Sequence, residues 1–148
     1  MPPEYVVDTS VALRWFLPDQ DQNGDAARML ALILAGDIAA VAPRNLMYEF
    51  CGTLSQQYRR KRKTVAQAMR ALSDFWRIPI RYVESSKTME RAVSLSFTYR
   101  KNFYDMCFFA IGEHEGIPVC TGDEKSLGGL PADFPCRYVL LRDFLSGQ

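Results

Sequence analysis

Short apolar segments alternate with helical segments along the chain, and this alternation limits the possible folds more than any other feature. The apolar segments lie at residues 5–9, 38–42, 78–83, 117–121 and 138–141. Short apolar strands that alternate with helices are typical of a parallel sheet covered on both faces. We therefore predict an α/β fold, a three-layer sandwich in which helices cover both faces of a short, mainly parallel five-stranded sheet.

Amphipathic periodicity and capping residues predict the helices between these strands. The predicted helices span residues 11–17, 25–35, 45–62, 65–77, 86–99 and 102–115, with a last helical turn at 142–145. The pattern places two sets of side chains toward the core: Val65, Ala68, Met69, Leu72 and Phe75 on one helix, and Met89, Val93 and Leu95 on another. The helix after residue 102 is apolar on nearly every side, so we expect it to be buried. Without repeats or linkers, residues 1–148 are expected to form a single domain.

Composition narrows the class of protein and its location. The chain has 48% hydrophobic and 24% charged residues, the balance of a soluble globular protein. The formal net charge of +1 creates no strong overall field, so a nucleic acid would need a local basic patch. No apolar run reaches the ~20 residues that span a bilayer, and no basic segment of a signal peptide precedes the first strand. We expect a cytoplasmic protein without a membrane partner.

The cysteines and the single histidine argue against several kinds of site. None of the four cysteines forms a C-x-x-C pair, and His114 is the only histidine, so a zinc site is not expected. A ribonuclease that uses two imidazoles is excluded for the same reason. A disulfide between Cys120 and Cys136 stays open, although a reducing compartment favours free thiols.

Four acidic residues stand at comparable junctions of the predicted elements. Asp8 ends the first strand, Glu49 lies in the first turns of the helix after the second strand, Asp105 opens the buried helix, and Asp123 follows the fourth strand. Ligands of open parallel sheets bind beyond the carboxyl ends of the strands, so the four side chains can meet there. Singly, each has a simpler explanation as a helix cap or turn residue; the hypothesis depends on the set.

Carboxylates that meet in this way require a proton or a cation between them. Two such charges ~4 Å apart repel by roughly 4 kcal/mol at an effective dielectric constant of 20. Oxygen ligands without histidine or cysteine favour Mg²⁺ or Mn²⁺, which serve phosphoryl transfer. We predict Asp8 and Asp105 as the main metal ligands, with Glu49 and Asp123 completing the site directly or through water.

Polar residues beside the acids are candidates for supporting roles. Thr9, Ser10 and Thr121 flank two of the acids, where a hydroxyl can orient a water or a phosphate; β-propensity and helix capping explain them equally well. Asn102 is either a helix cap or a supporting ligand near Asp105.

A basic run shares its predicted helix with Glu49. Arg59, Arg60, Arg62 and Lys63 lie roughly 15 Å or more from that acid along the helix axis, at 1.5 Å per residue. This spacing suits contact with a nucleic-acid backbone while another phosphate occupies the metal site. A solvated helix end, in which the cations stabilise the helix dipole, is an equally good explanation.

The residues around the four acids resemble the PIN domain, and most closely the VapC toxins of prokaryotic type II toxin–antitoxin pairs. The resemblance rests on Val7-Asp8-Thr9-Ser10, Tyr48-Glu49, Tyr104-Asp105 and Thr121-Gly122-Asp123, in the order of the family. It implies an endoribonuclease that depends on Mg²⁺ or Mn²⁺ and hydrolyses RNA phosphodiester bonds with a metal-activated water. The acidic positions of the family fall on these four acids, and its hydroxyl positions fall on Ser10 and Thr121.

The same resemblance implies partners. VapC-like proteins are usually homodimers, and a small antitoxin protein covers their active-site cleft. Residues 12–17 are a candidate apolar groove for it, although core packing also explains their aromatic side chains. Two alternatives stay open, a housekeeping PIN-like nuclease that processes RNA without an antitoxin, and a non-catalytic RNA-binding PIN-like module.

Overall fold

Five short strands form one parallel sheet at the centre of the computed structural model, which describes residues 1–147. The strands are β1 (Glu4–Val7), β2 (Ala39–Ala42), β3 (Ile80–Tyr82), β4 (Val119–Thr121) and β5 (Tyr138–Leu140). Their order across the sheet is β3-β2-β1-β4-β5, and every neighbouring pair is parallel. The predicted parallel sheet is confirmed, with β1 in the middle.

Helices cover both faces of this sheet, which confirms the three-layer sandwich. They are α1 (Thr9–Arg14), α2 (Asp25–Ala35), α3 (Asn45–Arg59), α4 (Val65–Phe75), α5 (Ser86–Tyr99), α6 (Phe103–Glu115), α7 (Glu124–Leu127) and α8 (Leu141–Phe144). Helix α1 packs against α2 and α3, and α3 packs against α4, whereas α5 packs against α6, which contacts β1 and β4. No helix in residues 1–147 is long and apolar enough to cross a membrane.

The sheet register brings the carboxyl ends of the central strands together. Val6 is aligned with Val119 and Val7 with Cys120, and all four side chains are completely buried. The first residues after β1 and β4 therefore emerge side by side. Because β2 is the other neighbour of β1 and also runs parallel to it, the start of α3 lies at the same edge of the sheet.

An aromatic cluster joins α3 and α4 to the core. The rings of Phe50 and Phe75 are stacked with their centroids 4.1 Å apart, and Phe16 meets Phe50 edge-on at 5.3 Å. Phe50 and Phe75 are fully buried. These contacts orient α3, and with it the side chain of Glu49, one residue before Phe50.

Two predicted inward faces are only partly correct. Val65 and Met69 on α4 are each 58% exposed, and Met89 and Val93 on α5 are exposed as well. Phe75 on α4 and Leu95 on α5 are buried as predicted, together with Ala71 on α4 and with Thr88 and Ala92 on α5. The apolar stripe of each helix is wider than the surface that its neighbours cover, so periodicity alone does not identify the buried side.

The cysteines form no disulfide. All four are free, and Cys120 and Cys136 are buried. Burial raises the pKa of both thiols, which keeps them protonated at neutral pH. The structure thus shows the free thiols that a reducing compartment favours.

Candidate functional site

Asp8 lies at the junction of β1 and α1, where two hydroxyls bind its carboxylate. Oδ2 of Asp8 accepts hydrogen bonds from Ser10 Oγ at 2.6 Å and from Thr121 Oγ1 at 3.0 Å. Ser10 Oγ also accepts the Gly122 N–H at 2.9 Å. Burial raises the pKa of Asp8, and these hydrogen bonds partly oppose the rise. The predicted hydroxyls therefore support the carboxylate and connect β1 to the residues after β4.

Glu49 faces the same edge from the second turn of α3. Its Oε2 accepts a short hydrogen bond from Thr9 Oγ1, and its Oε1 accepts one from Asn45 Nδ2 at 3.2 Å. Asn45 Nδ2 also lies 3.3 Å from the carbonyl oxygen of Tyr104 at the start of α6. Asn45 thus links the two helices that carry Glu49 and Asp105.

Asp123 and Asp105 complete the group from the other side. Asp123 is the N-cap of α7 and accepts the Lys125 N–H at 2.9 Å, while its own N–H donates to Thr121 Oγ1 at 3.2 Å. Asp105 is half-buried in the first turn of α6, three residues after the N-cap Asn102. A helix-capping hydrogen bond therefore explains the position of one carboxylate oxygen of Asp123. Asp105 is not the cap of its helix, so capping does not explain its position.

The pKa of Asp105 shows that the four acids share one electrostatic environment. Burial, followed by the charges of Asp8, Glu49 and Asp123, raises this pKa from 3.8 to about 6, and the charge of Lys101 partly opposes the rise. Burial and the charge of Asp8 also raise the pKa of Glu49, against its hydrogen bonds. The structure thus brings the four predicted acids together at the carboxyl edge of the sheet.

This donor set fits a hard divalent cation. The four carboxylates repel one another, and their ionised forms would be stabilised by a nearby positive charge. Within residues 1–147, no three acidic, histidine or cysteine side chains lie close enough to hold a metal ion by themselves. Mg²⁺ does not require one, because it keeps several waters and is usually held by one or two carboxylates together with substrate phosphates.

Asn102 and the basic run occupy separate places. Asn102 Oδ1 accepts the Tyr104 N–H at 2.8 Å, so its side chain caps α6. Helix α3 ends at Arg59, and Arg60 and Arg62 follow it on the exposed side of the turn before α4. Arg59 is ten positions after Glu49 on the helix, which corresponds to about 15 Å along the axis. The basic run therefore lies at a distance from the acids, as its spacing predicted.

Two cations close to the acids were not assigned a role from the sequence. Lys101 lies near Asp105 and donates a short hydrogen bond to the carbonyl of Gly128. Arg14 Nη2 donates to the carbonyl of Gly122 at 2.8 Å. Arg14 follows Ser10 by four residues on a helix, a spacing that places both on one face and was a usable signal. Nothing local in the sequence marks Lys101.

A parallel α/β sandwich with grouped carboxylates at the carboxyl edge of its central strands defines the class of this protein. Such an arrangement is typical of proteins that bind metal ions and phosphates at that edge. The PIN domain family matches residues 5–127, and the chain belongs to this family. No curated protein sequence matches the chain significantly.

Solved structures with the same fold have low sequence identity to this chain. PAE2754 from Pyrobaculum aerophilum has a TM-score of 0.71 and 18% identity, covering 99% of this chain and 97% of its own. VapBC2 from Rickettsia felis, bound to a promoter DNA fragment, has a TM-score of 0.68 and 14% identity, with 93% and 98% covered. VapBC-5 from Mycobacterium tuberculosis, a toxin–antitoxin family member, has a TM-score of 0.57 and 15% identity, with 94% and 98% covered.

Proposed function

We propose that this protein is an endoribonuclease that depends on Mg²⁺ or Mn²⁺ and is the toxin of a toxin–antitoxin pair. The observation that carries the proposal is the electrostatic coupling of Asp105 to the other three acids, Asp8, Glu49 and Asp123. Family membership and the toxin–antitoxin structures with the same fold support the nuclease and its biological role.

The side chains at the site have different proposed roles. Asp8 and Asp105 are the proposed main ligands of the metal, and Glu49 and Asp123 complete the site directly or through water. When bound, the metal supplies an activated water and neutralises charge on the phosphate that is cleaved. Ser10 and Thr121 hold one oxygen of Asp8 by hydrogen bonds, which fixes the direction of its other oxygen.

The basic run gives the RNA a second contact. Residues 45–77 contain seven basic and two acidic residues, so the hairpin of α3 and α4 is strongly positive in a nearly neutral chain. Arg59, Arg60, Arg62 and Lys63 at its tip are proposed to bind RNA phosphates about 15 Å from the acids. The negative cluster alone would repel the RNA backbone, and these cations offset that repulsion.

The structure changes where an antitoxin is expected to bind. Residues 12–17 were the predicted groove, but Ala12 is fully buried and Leu17 is nearly so, and Phe16 packs on Phe50. An exposed apolar groove of about 260 Å³ lies instead between α3 and α4, lined by Cys51, Leu54, Ser55, Tyr58, Val65, Ala68, Met69 and Leu72. With a basic hairpin around it, this groove suits an antitoxin segment that presents apolar and acidic side chains. A homodimer, as in VapC-like proteins, is part of the proposal.

RNA cleavage by purified protein tests the catalytic proposal. We expect cleavage with Mg²⁺ or Mn²⁺, none with EDTA, and none by a variant that carries Asp8→Asn and Asp105→Asn. The control is Asp74→Asn, an exposed acid on α4 outside the cluster, which should cleave like the wild type. Cleavage that survives both EDTA and the double substitution would refute the four-acid site. RNA binding without cleavage by any form would favour the non-catalytic module.

A second experiment separates the toxin from a housekeeping nuclease. The chain is co-expressed with the product of a neighbouring small reading frame, and we measure co-purification and inhibition of cleavage. Met69→Glu should abolish complex formation, because it places a charge in the apolar groove, and should leave cleavage unchanged. Active protein that neither binds nor responds to such a product would favour the housekeeping nuclease.

A further inference from the structure

Arg14 is held in a fixed position beside the acidic site. Besides its hydrogen bond to the Gly122 carbonyl, its guanidinium lies against the Gly122 backbone: a Cβ at that residue would be 2.7 Å from Arg14 Cζ and 2.8 Å from Nη1. Only glycine allows this approach. One turn earlier on α1, Ser10 Oγ accepts the N–H of the same glycine. Helix α1 therefore binds both the N–H and the carbonyl of Gly122, the residue that precedes Asp123.

A cavity of about 350 Å³ opens next to this guanidinium. Thr121 and Gly122 form part of its wall, Thr121 also donates a hydrogen bond to Asp8, and Gly122 precedes Asp123, so the cavity adjoins the acidic site. The segment between α1 and α2 forms another part of the wall. The lining residues are Arg14, Gln20, Asp21, Gln22, Asn23, Asp25, Thr121, Gly122, Glu124, Leu140, Leu141 and Arg142. The volume is in the range of small-molecule sites in proteins.

Of the two basic residues that line this cavity, Arg14 and Arg142, only Arg142 has an acidic partner within residues 1–147. The acids of the lining are already engaged: Asp21 accepts the N–H groups of Ala26 and Ala27, Asp25 pairs with Arg28 at 3.4 Å, and Glu124 pairs with Arg142. Across residues 1–147, Arg14 forms no such ion pair. A planar guanidinium with one N–H bonded to a carbonyl keeps further donors for an anion, and its fork matches the oxygens of a phosphate.

Three amide side chains also line the cavity. Gln20, Gln22 and Asn23 are exposed, and in the part of the chain that the structure describes their carboxamides make no hydrogen bond. A carboxamide offers a donor and an acceptor together, which is the pattern that a nucleobase edge presents. Single-stranded RNA is read through such edges, because its bases are not paired.

We propose that this cavity binds the ribonucleotide next to the bond that is cleaved. Its phosphate binds Arg14, and its base lies against Gln20, Gln22 and Asn23. This inference rests on the proposed function, and it adds a specificity-determining site to it. Because Thr121 in the wall donates to Asp8 and Gly122 precedes Asp123, the bound nucleotide lies next to the proposed metal ligands.

RNA binding by a catalytically inert protein tests the phosphate contact. The background is Asp105→Asn, the probe is a short fluorescent single-stranded RNA, and affinity is measured by anisotropy at several salt concentrations. Arg14→Gln should weaken binding about tenfold, and the slope of log affinity against log salt should become shallower by about 0.7. Arg14→Lys keeps the charge and should keep the slope.

Arg137→Gln is the matched control, because Arg137 also donates to a glycine carbonyl, that of Gly116, but precedes β5 at the opposite edge of the sheet. It should bind RNA like the parent. If Arg14 served only to hold the Gly122 turn, Arg14→Gln would lower thermal stability or Mn²⁺ affinity and leave the salt slope unchanged. That result would overturn the proposal.

The base contact is tested with Gln22→Ala and Asn23→Ala. Both side chains are exposed, so neither change should impair folding. We expect a changed preference for the nucleotide at the cleaved bond, measured by sequencing the product ends, with an unchanged salt slope. An unchanged preference in both variants would refute the base contact.

The two assays separate this proposal from the proposed function. The subsite proposal is supported if Arg14→Gln weakens RNA binding in the Asp105→Asn background, even when the wild type does not cleave the RNA. It falls if the wild type cleaves RNA while Arg14→Gln retains full affinity and the full salt slope.

Discussion

Replacing Asp105 by asparagine should stabilise the protein at neutral pH while abolishing cleavage. The pKa of Asp105 rises from 3.8 to about 6, which for a completely buried group corresponds to about 3 kcal/mol of unfavourable free energy in the ionised form. Asp105 is only half-buried, so screening by solvent reduces this to about 1–2 kcal/mol. The residue makes no hydrogen bond in the described structure that asparagine would lose, but its charge favours the start of α6 by about 0.5 kcal/mol.

The expected net gain is therefore about 1 kcal/mol, and its pH dependence follows from the direction of the pKa change. Below pH 4, Asp105 is protonated in the folded chain and no more than about half ionised in the unfolded chain, so little of the penalty has developed. Between pH 4 and 6 the unfolded chain ionises first, and the penalty of the folded wild type develops. Above pH 6 the penalty is complete. The stability advantage of Asp105→Asn should be small at pH 4 and full at pH 7.5.

Thermal unfolding measures this difference. At pH 7.5, without metal, we expect Asp105→Asn to melt about 2–4 °C above the wild type, whereas the control Asp74→Asn should not differ. Added Mg²⁺ should raise the melting temperature of the wild type more than that of Asp105→Asn, because a bound ligand stabilises the folded state. A variant that is less stable than the wild type at pH 7.5, or equally stabilised at pH 4, would refute the coupling of the four acids.

Further predictions follow from the packing and the charge of the structure. Gly122→Ala should displace the Arg14 guanidinium and reproduce the weaker RNA binding of Arg14→Gln, as measured by anisotropy. Replacing the four basic side chains of residues 59–63 named above by glutamine should reduce the salt slope of RNA binding by about 0.7 for each phosphate that is no longer neutralised. Phe75→Ala should lower the free energy of unfolding by about 3–5 kcal/mol in a denaturant titration, because it leaves a cavity against Phe50.

The sequence predicts the main architecture because the alternation of strands and helices is strong. The five strands, their parallel direction and the covering helices were all predicted. The strand order was not, since it depends on which strands meet in space and no local residue encodes it. The register of β1 against β4, which brings Asp8 beside Thr121, likewise depends on which strands meet in space.

The four acids were predictable as a set because each stands at a strand end or helix start. What the sequence could not show is their electrostatic coupling, which depends on burial and distance. The outward faces of Val65 and Met69 were missed because an apolar stripe indicates only that a surface is apolar, and an uncovered groove has the same stripe as a core face. Lys101 was missed because its partner, Gly128, is distant in sequence.

The hydrogen bond between Thr121 and Asp8 joins residues 113 positions apart, and this separation governs when the site exists. While the chain is being synthesised, Asp8 and Glu49 emerge early, but the central strand lacks one of its two neighbours until β4 is complete. Contacts this distant in sequence form late in folding, since most of the intervening chain must be ordered first. A nascent chain therefore has no complete acidic site until β4 and Asp123 have left the ribosome, so the proposed toxin activity arises only after these residues have joined the sheet.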